Sequence, residues 1–152
     1  MPEVIISDTS CFIALSRIDG LRLLQQVYGE VITTPDIIEE FGRPLPEWVR
    51  IIAPKDNGRL QLLCLQVDRG EASAITLALE TPGCTIILDD RKARIIGSRL
   101  GLAITGTIGV VIRAKLDGHI PSIKPILDAL RSAGFRTSAV IEEESLRAAG
   151  EI

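Results

Sequence analysis

Acidic side chains follow apolar runs or lie in nearby helical patterns along the sequence, and their type suggests metal-ion chemistry. The acids in such positions are Asp8, Glu40, Glu71, Asp89 and Asp90. Carboxylate oxygens are the ligands that Mg²⁺ and Mn²⁺ prefer, and a cation relieves the repulsion among acids that are placed together. Such a centre can activate a water molecule and stabilise the leaving oxygen of a phosphodiester.

A parallel sheet is the element that would bring these acids together. Short apolar runs, continuous rather than alternating, are separated by helical patterns, which is typical of an α/β fold with a sheet covered on both faces. The runs cover residues 4–6, 31–33, 49–53, 86–88 and 102–104. Because ligands bind at the carboxyl ends of such strands, we expect the acids to project from one edge of the sheet.

The three aspartates at strand ends each have a structural alternative. Asp8 could cap the following helix, although Thr9 or Ser10 could do so equally well. Asp89 and Asp90 would point to opposite faces of an extended strand, and a carboxylate also suits the start of the next helix. We expect one of this pair to face the site and the other to cap the helix. We favour Asp90 for the metal, with Asp89 as the close second.

The two glutamates also have two interpretations each. At about 100° per helical residue, Glu39 points outward and Glu40 flanks the buried face, although a solvated face would explain both. Glu71 stands three residues after Asp68, which is the spacing of a capping box. It also lies on the apolar face of its helix, where a carboxylate is costly to bury unless it is paired or bound to a metal.

Composition limits the remaining possibilities. The chain has 152 residues, 46% hydrophobic and 24% charged, which predicts one domain, 1–152, with an aliphatic core. A net charge of −3 excludes a broadly basic surface, and three scattered cysteines predict neither a zinc site nor a disulfide framework. The single histidine, His119, lies in a turn-like segment, which disfavours serine-hydrolase chemistry. No run is long enough to span a membrane and the start resembles no secretory leader, so we expect a cytoplasmic protein.

Candidate phosphate contacts surround the acids in the sequence. The segment TGTIG, residues 105–109, can form a tight turn before a helix, or present backbone N–H groups and hydroxyls to a phosphate. Basic residues follow the aspartate pair, and a solvated helix face is the alternative explanation for most of them. They are Arg91, Lys92, Arg94 and Arg99.

Five segments in order resemble PIN domains, and most closely a group of small prokaryotic PIN-like proteins. The segments are IISDTSCFIAL, ITTPDIIEEF, DRGEASAITLAL, IILDDRKAR and GLAITGTIGVVIRAK. The resemblance implies a three-layer Rossmann-like fold with about five parallel strands in the order 3-2-1-4-5, helices on both faces and a helical C-terminal tail. The family often has Thr-x-Asp at the last acid, where this chain has Leu88 in place of threonine. Thr105 or Thr107 could supply the missing hydroxyl.

The resemblance also implies an activity and a set of site residues. It implies a ribonuclease that uses Mg²⁺ or Mn²⁺, with Asp8, Glu40, Glu71 and Asp90 as catalytic residues and Asp89 as a further metal ligand. Candidate contacts to the RNA substrate are Thr9, Ser10, Arg91, Thr105 and Thr107. Many PIN proteins are toxins paired with an antitoxin, and many form homodimers, so we expect such partners here. The alternative is a non-catalytic PIN-fold subunit that binds nucleic acid or protein.

Overall fold

In the computed structural model, which describes residues 3–152, five short strands form one sheet in the order β3-β2-β1-β4-β5. The strands are β1 (Val4–Ser7), β2 (Glu30–Thr33), β3 (Val49–Ile51), β4 (Thr85–Ile87) and β5 (Ala103–Thr105). Every neighbouring pair is parallel. The predicted α/β fold and its strand order are confirmed. Residues 1 and 2 of the predicted domain lie outside the described residues.

Helices surround this sheet. Within residues 3–152 they are α1 (Thr9–Arg17), α2 (Arg22–Val27), α3 (Pro35–Phe41), α4 (Asn57–Leu63), α5 (Arg69–Leu79), α6 (Arg91–Arg99), α7 (Thr107–Leu116), α8 (Lys124–Ser132) and α9 (Ala139–Ala148). The tail helices pack on earlier ones, α8 on α1 and α9 on α7. Among the described residues, no helix has the length and apolar character needed to cross a membrane.

The core lies on both faces of the central strands. Ile5 and Ile6 of β1 point to opposite faces, yet both are fully buried, and the same holds for Ile86 and Ile87 of β4. Such strands form as continuous β-branched runs because neither face meets water. The ends of these rigid strands therefore fix where the acids can lie.

Local sequence signals set the start of several helices. Thr34 accepts a hydrogen bond from the Ile37 N–H, Pro35 begins α3, and Gly42 ends it with a left-handed backbone (φ 71°), as the sequence predicts.

Two predicted helix boundaries are wrong. The helical pattern that begins at Asn57-Gly58 predicts a helix through Val67, but α4 ends at Leu63, because the N–H groups of Leu65 and Gln66 bond to carbonyls three residues back and tighten the turn. The pattern over residues 142–149 predicts a last helix from Glu142, but Ser138 accepts from the Ile141 N–H, and α9 begins at Ala139.

Candidate metal centre

Asp8 lies at the junction of β1 and α1, where it performs two tasks. Its side chain is buried, and Oδ1 accepts a hydrogen bond from the Cys11 N–H at 2.9 Å, which caps α1. Oδ2 accepts from the Asp89 N–H at 3.3 Å, at the end of the neighbouring strand. The capping alternative is therefore correct, and the second oxygen still faces the acids that follow β4.

Burial raises the pKa of Asp8 well above its usual range. The negative charge of Asp89 raises the pKa further, and Glu71 adds a smaller contribution. The N–H donors of Cys11 and Asp89 act in the opposite direction. A buried carboxylate beside other acids holds its proton unless a positive charge is supplied, so this position favours a cation.

Asp89 is held by the start of α7. Its Oδ1 accepts from the Thr107 N–H at 2.8 Å, and its Oδ2 accepts from the Thr107 hydroxyl at 2.5 Å. A Cβ at Gly106 would lie 3.0 Å from this carboxylate and 2.9 Å from Arg94 Nη1, so glycine permits the close approach. Thr107, one of the two threonines that we proposed as a substitute in the family's Thr-x-Asp pattern, therefore contacts Asp89 from the first residue of α7, and not Asp90, on which the pattern was aligned.

Asp90, and not Asp89, caps α6, so this part of the prediction for the pair is wrong. Asp90 Oδ2 accepts from the Ala93 N–H at 3.0 Å. The pleat does not govern these residues because β4 ends at Ile87. Asp90 nevertheless remains close to another candidate acid, since its charge raises the pKa of Glu71.

Glu71 closes the capping box of α5 and also interacts electrostatically with Asp8 and Asp90. Its N–H donates to Asp68 Oδ1 at 2.8 Å, and its Oε1 accepts from the Asp68 N–H at 3.3 Å. Burial, together with the charges of Asp68 and Asp90, raises the pKa of Glu71 to about 7. Both interpretations of this residue are therefore compatible with the structure.

Glu40 lies farther out, on α3, beside Thr9 and the start of α5. Its Oε1 accepts from the Thr9 hydroxyl at 3.4 Å, and a Cβ at Gly70 would overlap its carboxylate. Burial and the charge of Asp68 raise its pKa. Thr9, a predicted substrate contact, thus contacts a predicted catalytic acid.

The acids Asp8, Glu71, Asp89 and Asp90 form one electrostatic group, which we call the acidic group. Each side chain is engaged by a hydrogen bond from the backbone or from Thr107. Within residues 3–152, no three acidic, histidine or cysteine side chains are arranged to ligate a single cation in this state.

The chemistry of these donors fits a hard divalent cation. The acidic group offers only carboxylate oxygens, which suit Mg²⁺ and Mn²⁺. The nearby Cys11 thiol does not add a soft ligand, because burial and the charges of Asp8 and Asp89 raise its pKa well above the usual value and keep it protonated.

An open cleft of about 790 Å³ adjoins Asp89 and Asp90. Its lining includes Ser10 and Thr105, two of the predicted substrate contacts, but not Arg91. We call this feature the arginine cleft, because Arg17 of α1, Arg94 of α6 and Arg136 of the α8–α9 loop all line it.

Sequence reasoning missed most of this lining. Phe135 and Arg136 come from a segment far from the acids along the chain, and Arg17 lies at the opposite end of the helix that Asp8 caps. The aromatic and basic pair in GFR, residues 134–136, is the signal that could have suggested Phe135 and Arg136.

A family model described as a PIN domain matches residues 4–151. The chain belongs to the PIN domain family. A comparison with curated proteins gave no match. PIN domains generally have a nuclease fold and use divalent metals, so the family agrees with the chemistry of the acidic group.

Proposed function

We propose that this PIN domain is an endoribonuclease that hydrolyses RNA phosphodiester bonds with Mg²⁺ or Mn²⁺. The observation that carries the proposal is the buried Asp8 carboxylate, which joins the end of β1 to the end of β4 amid other acids. Its raised pKa means that the surrounding residues supply too little positive charge to favour the ionised form. A divalent cation would supply that charge.

In this proposal Asp8 holds the cation together with carboxylates from the neighbouring elements. Asp89, Asp90 and Glu71 lie in the same electrostatic group, and Glu40 lies at its rim beside Thr9. The metal would supply an activated water and neutralise charge on the leaving oxygen. Thr107 fixes the orientation of Asp89 through two hydrogen bonds, so that this ligand does not have to be ordered when the metal binds.

The proposal also includes a toxin role with an antitoxin partner, a homodimer and a cytoplasmic location. These three properties are inferred from the family resemblance. Analytical ultracentrifugation tests the dimer, and a monomer at micromolar concentration would contradict it. Growth arrest on expression, relieved by the product of an adjacent gene, tests the toxin role, and normal growth would contradict it.

Cleavage of labelled single-stranded RNA tests the activity itself. We expect cleavage with Mg²⁺ or Mn²⁺ and none with EDTA. Asp8→Asn should lower the rate by at least about 100-fold, because loss of a metal ligand costs no less than loss of an outer partner. The asparagine oxygen can still accept from the Cys11 N–H, so the cap of α1 is kept.

Asp56→Asn is the matched control, because Asp56 caps α4 in the same way through the Arg59 N–H. It should cleave at the wild-type rate. Equal rates for Asp8→Asn and wild type would contradict the metal-ligand role. Tight RNA binding with neither cleavage nor measurable metal binding would favour the non-catalytic subunit instead.

A further inference from the structure

The arginine cleft carries three guanidinium groups that have no acidic partner. Within residues 3–152, Arg17, Arg94 and Arg136 form no ion pair with a carboxylate within 4.0 Å. Some arginines elsewhere on the surface form such pairs, for example Arg113 with Glu3 at 2.8 Å, and others among the described residues, such as Arg22, do not. The distinguishing feature of these three arginines is therefore that they line one cleft. In a chain of net charge −3, unpaired cations gathered in one cleft form a local anion-binding surface.

Two of these arginines are anchored through the backbone. Arg94 Nη1 donates to the Leu88 carbonyl at 2.7 Å, which places it at the end of β4 beside Asp89. Arg17 Nη1 donates to the Ala133 carbonyl at 3.3 Å, which ties α1 to the end of α8. A guanidinium has five N–H donors, so each anchored group retains donors for a ligand.

Much of the remaining cleft wall is apolar or aromatic. Phe135 is half-buried next to the exposed Arg136, and Ile13 and Ile108 continue the apolar lining. Grooves that bind single-stranded nucleic acid combine cations that track the backbone with aromatic rings on which bases stack. The cleft volume, about 790 Å³, is within the range of sites that enclose a ligand of nucleotide size.

We propose that the arginine cleft holds the single-stranded RNA next to the phosphate that is cleaved. Arg17 and Arg136 contact phosphates of this strand, Arg94 contacts the phosphate nearest the acidic group, and Phe135 stacks on a base. This inference rests on the proposed ribonuclease function and adds to it the path of the substrate and four binding residues. Asp89 and Asp90 are part of the cleft lining, so RNA bound in the cleft would lie against the acidic group.

Binding of a short fluorescent single-stranded RNA in EDTA, measured by anisotropy at several salt concentrations, tests the inference without cleavage. Arg136→Gln should weaken binding about 5- to 10-fold and lower the slope of log affinity against log salt by about 0.7, because one phosphate contact is lost. Phe135→Leu should weaken binding about 10-fold and leave the salt slope unchanged, because stacking is not electrostatic.

Arg22→Gln is the matched control. Arg22 is exposed on α2, lies outside the cleft lining and loses the same charge on substitution. It should bind RNA as the wild type does. The inference would be overturned if Arg136→Gln and Arg17→Gln both bound RNA with the affinity and the salt slope of the wild type. Binding of a protein partner in the same cleft would then be the competing explanation.

The two proposals fail in different ways. Cleavage that depends on Asp8 but not on Arg136 would leave the ribonuclease function intact and overturn the substrate path. Weaker RNA binding by Arg136→Gln in a protein that never cleaves RNA would support the cleft and contradict the ribonuclease function.

Discussion

At the residue scale, the acids of this site combine helix capping with the tasks expected of metal ligands. Asp8 accepts from an N–H of α1, Asp89 from one of α7 and Asp90 from one of α6. The positive end of a helix favours a negative charge, so capping offsets part of the repulsion among these three aspartates. A capping role therefore does not exclude the proposed ligation, although the sequence presents the two as alternatives.

The raised pKa of Glu71 predicts that the free energy of unfolding of the metal-free protein depends on pH. Its pKa is raised from 4.5 to about 7 by folding, so the folded state favours the protonated form. The stability contributed by this proton is fully present below pH 4.5 and is lost as the pH rises through 7. Glu71→Gln keeps a side chain that can complete the capping box and removes the titration.

We therefore expect Glu71→Gln and wild type to unfold alike at pH 4.5 in EDTA. At pH 8 the variant should be more stable by about 1 kcal/mol, a value reduced for solvent screening of this partly exposed group. Urea unfolding at the two pH values measures the difference. The same difference at both pH values would contradict the raised pKa, and Glu143→Gln, on the exposed face of α9, serves as the control.

At the element scale, junctions between strands and helices decide which acids meet. The strands are only three or four residues long, and a helix begins within a few residues of most of them. Local signals such as Thr34-Pro35 and the Asp68–Glu71 box could be predicted because they depend on neighbours in sequence. The family resemblance suggested that Thr107 could serve the last acid, but it did not indicate which aspartate of the pair, because this contact joins residues that follow two different strands.

The helices α3 and α5 approach each other closely at Gly70, and a substitution there tests whether this contact matters. Alanine normally stabilises a helix by up to about 1 kcal/mol relative to glycine. At Gly70 the added methyl group would overlap Glu40, so that α3 and α5 can keep their packing only if this carboxylate moves away from Thr9. We expect Gly70→Ala to lower RNA cleavage about 10-fold while the protein remains folded.

Gly58→Ala is the comparison for that experiment. A Cβ at Gly58 would meet only Asp56 Oδ1, at an ordinary 3.5 Å, and α4 carries none of the site residues. This variant should be slightly more stable than wild type and cleave RNA equally well. Wild-type cleavage by Gly70→Ala would show that the position of Glu40 does not matter to the reaction.

At the scale of the whole molecule, the fold was more predictable than the site. Continuous apolar runs and five family-like segments predict the sheet and its strand order, since each segment carries its own signal. The arginine cleft joins residues from Ser10 to Ile141, which no local pattern connects. The cap of α6 by Asp90 depends on where β4 ends, and the apolar run alone, which includes Leu88, places that end one residue too late.

Glu151 links the C-terminal segment to the rest of the domain through a hydrogen bond and an ion pair. Its Oε2 accepts from the Ile123 N–H at 2.7 Å and lies 3.6 Å from Lys115 Nζ. Glu151→Ala should lower the free energy of unfolding by about 1–3 kcal/mol, because a shielded donor loses its charged partner. Glu143→Ala breaks an exposed pair and should change it by less than about 0.5 kcal/mol. Urea unfolding measures the free energy of unfolding of both variants. Equal effects of the two substitutions would contradict the stabilising role of Glu151.

The proposed ribonuclease activity depends most on a cation bound at Asp8, and anomalous diffraction from a Mn²⁺-soaked crystal tests this binding directly. We predict a manganese peak within about 2.5 Å of an Asp8 carboxylate oxygen, on the side of the acidic group. An isomorphous Asp8→Asn crystal soaked in the same way should lose the peak. A wild-type crystal with manganese bound elsewhere and none at Asp8 would contradict the account.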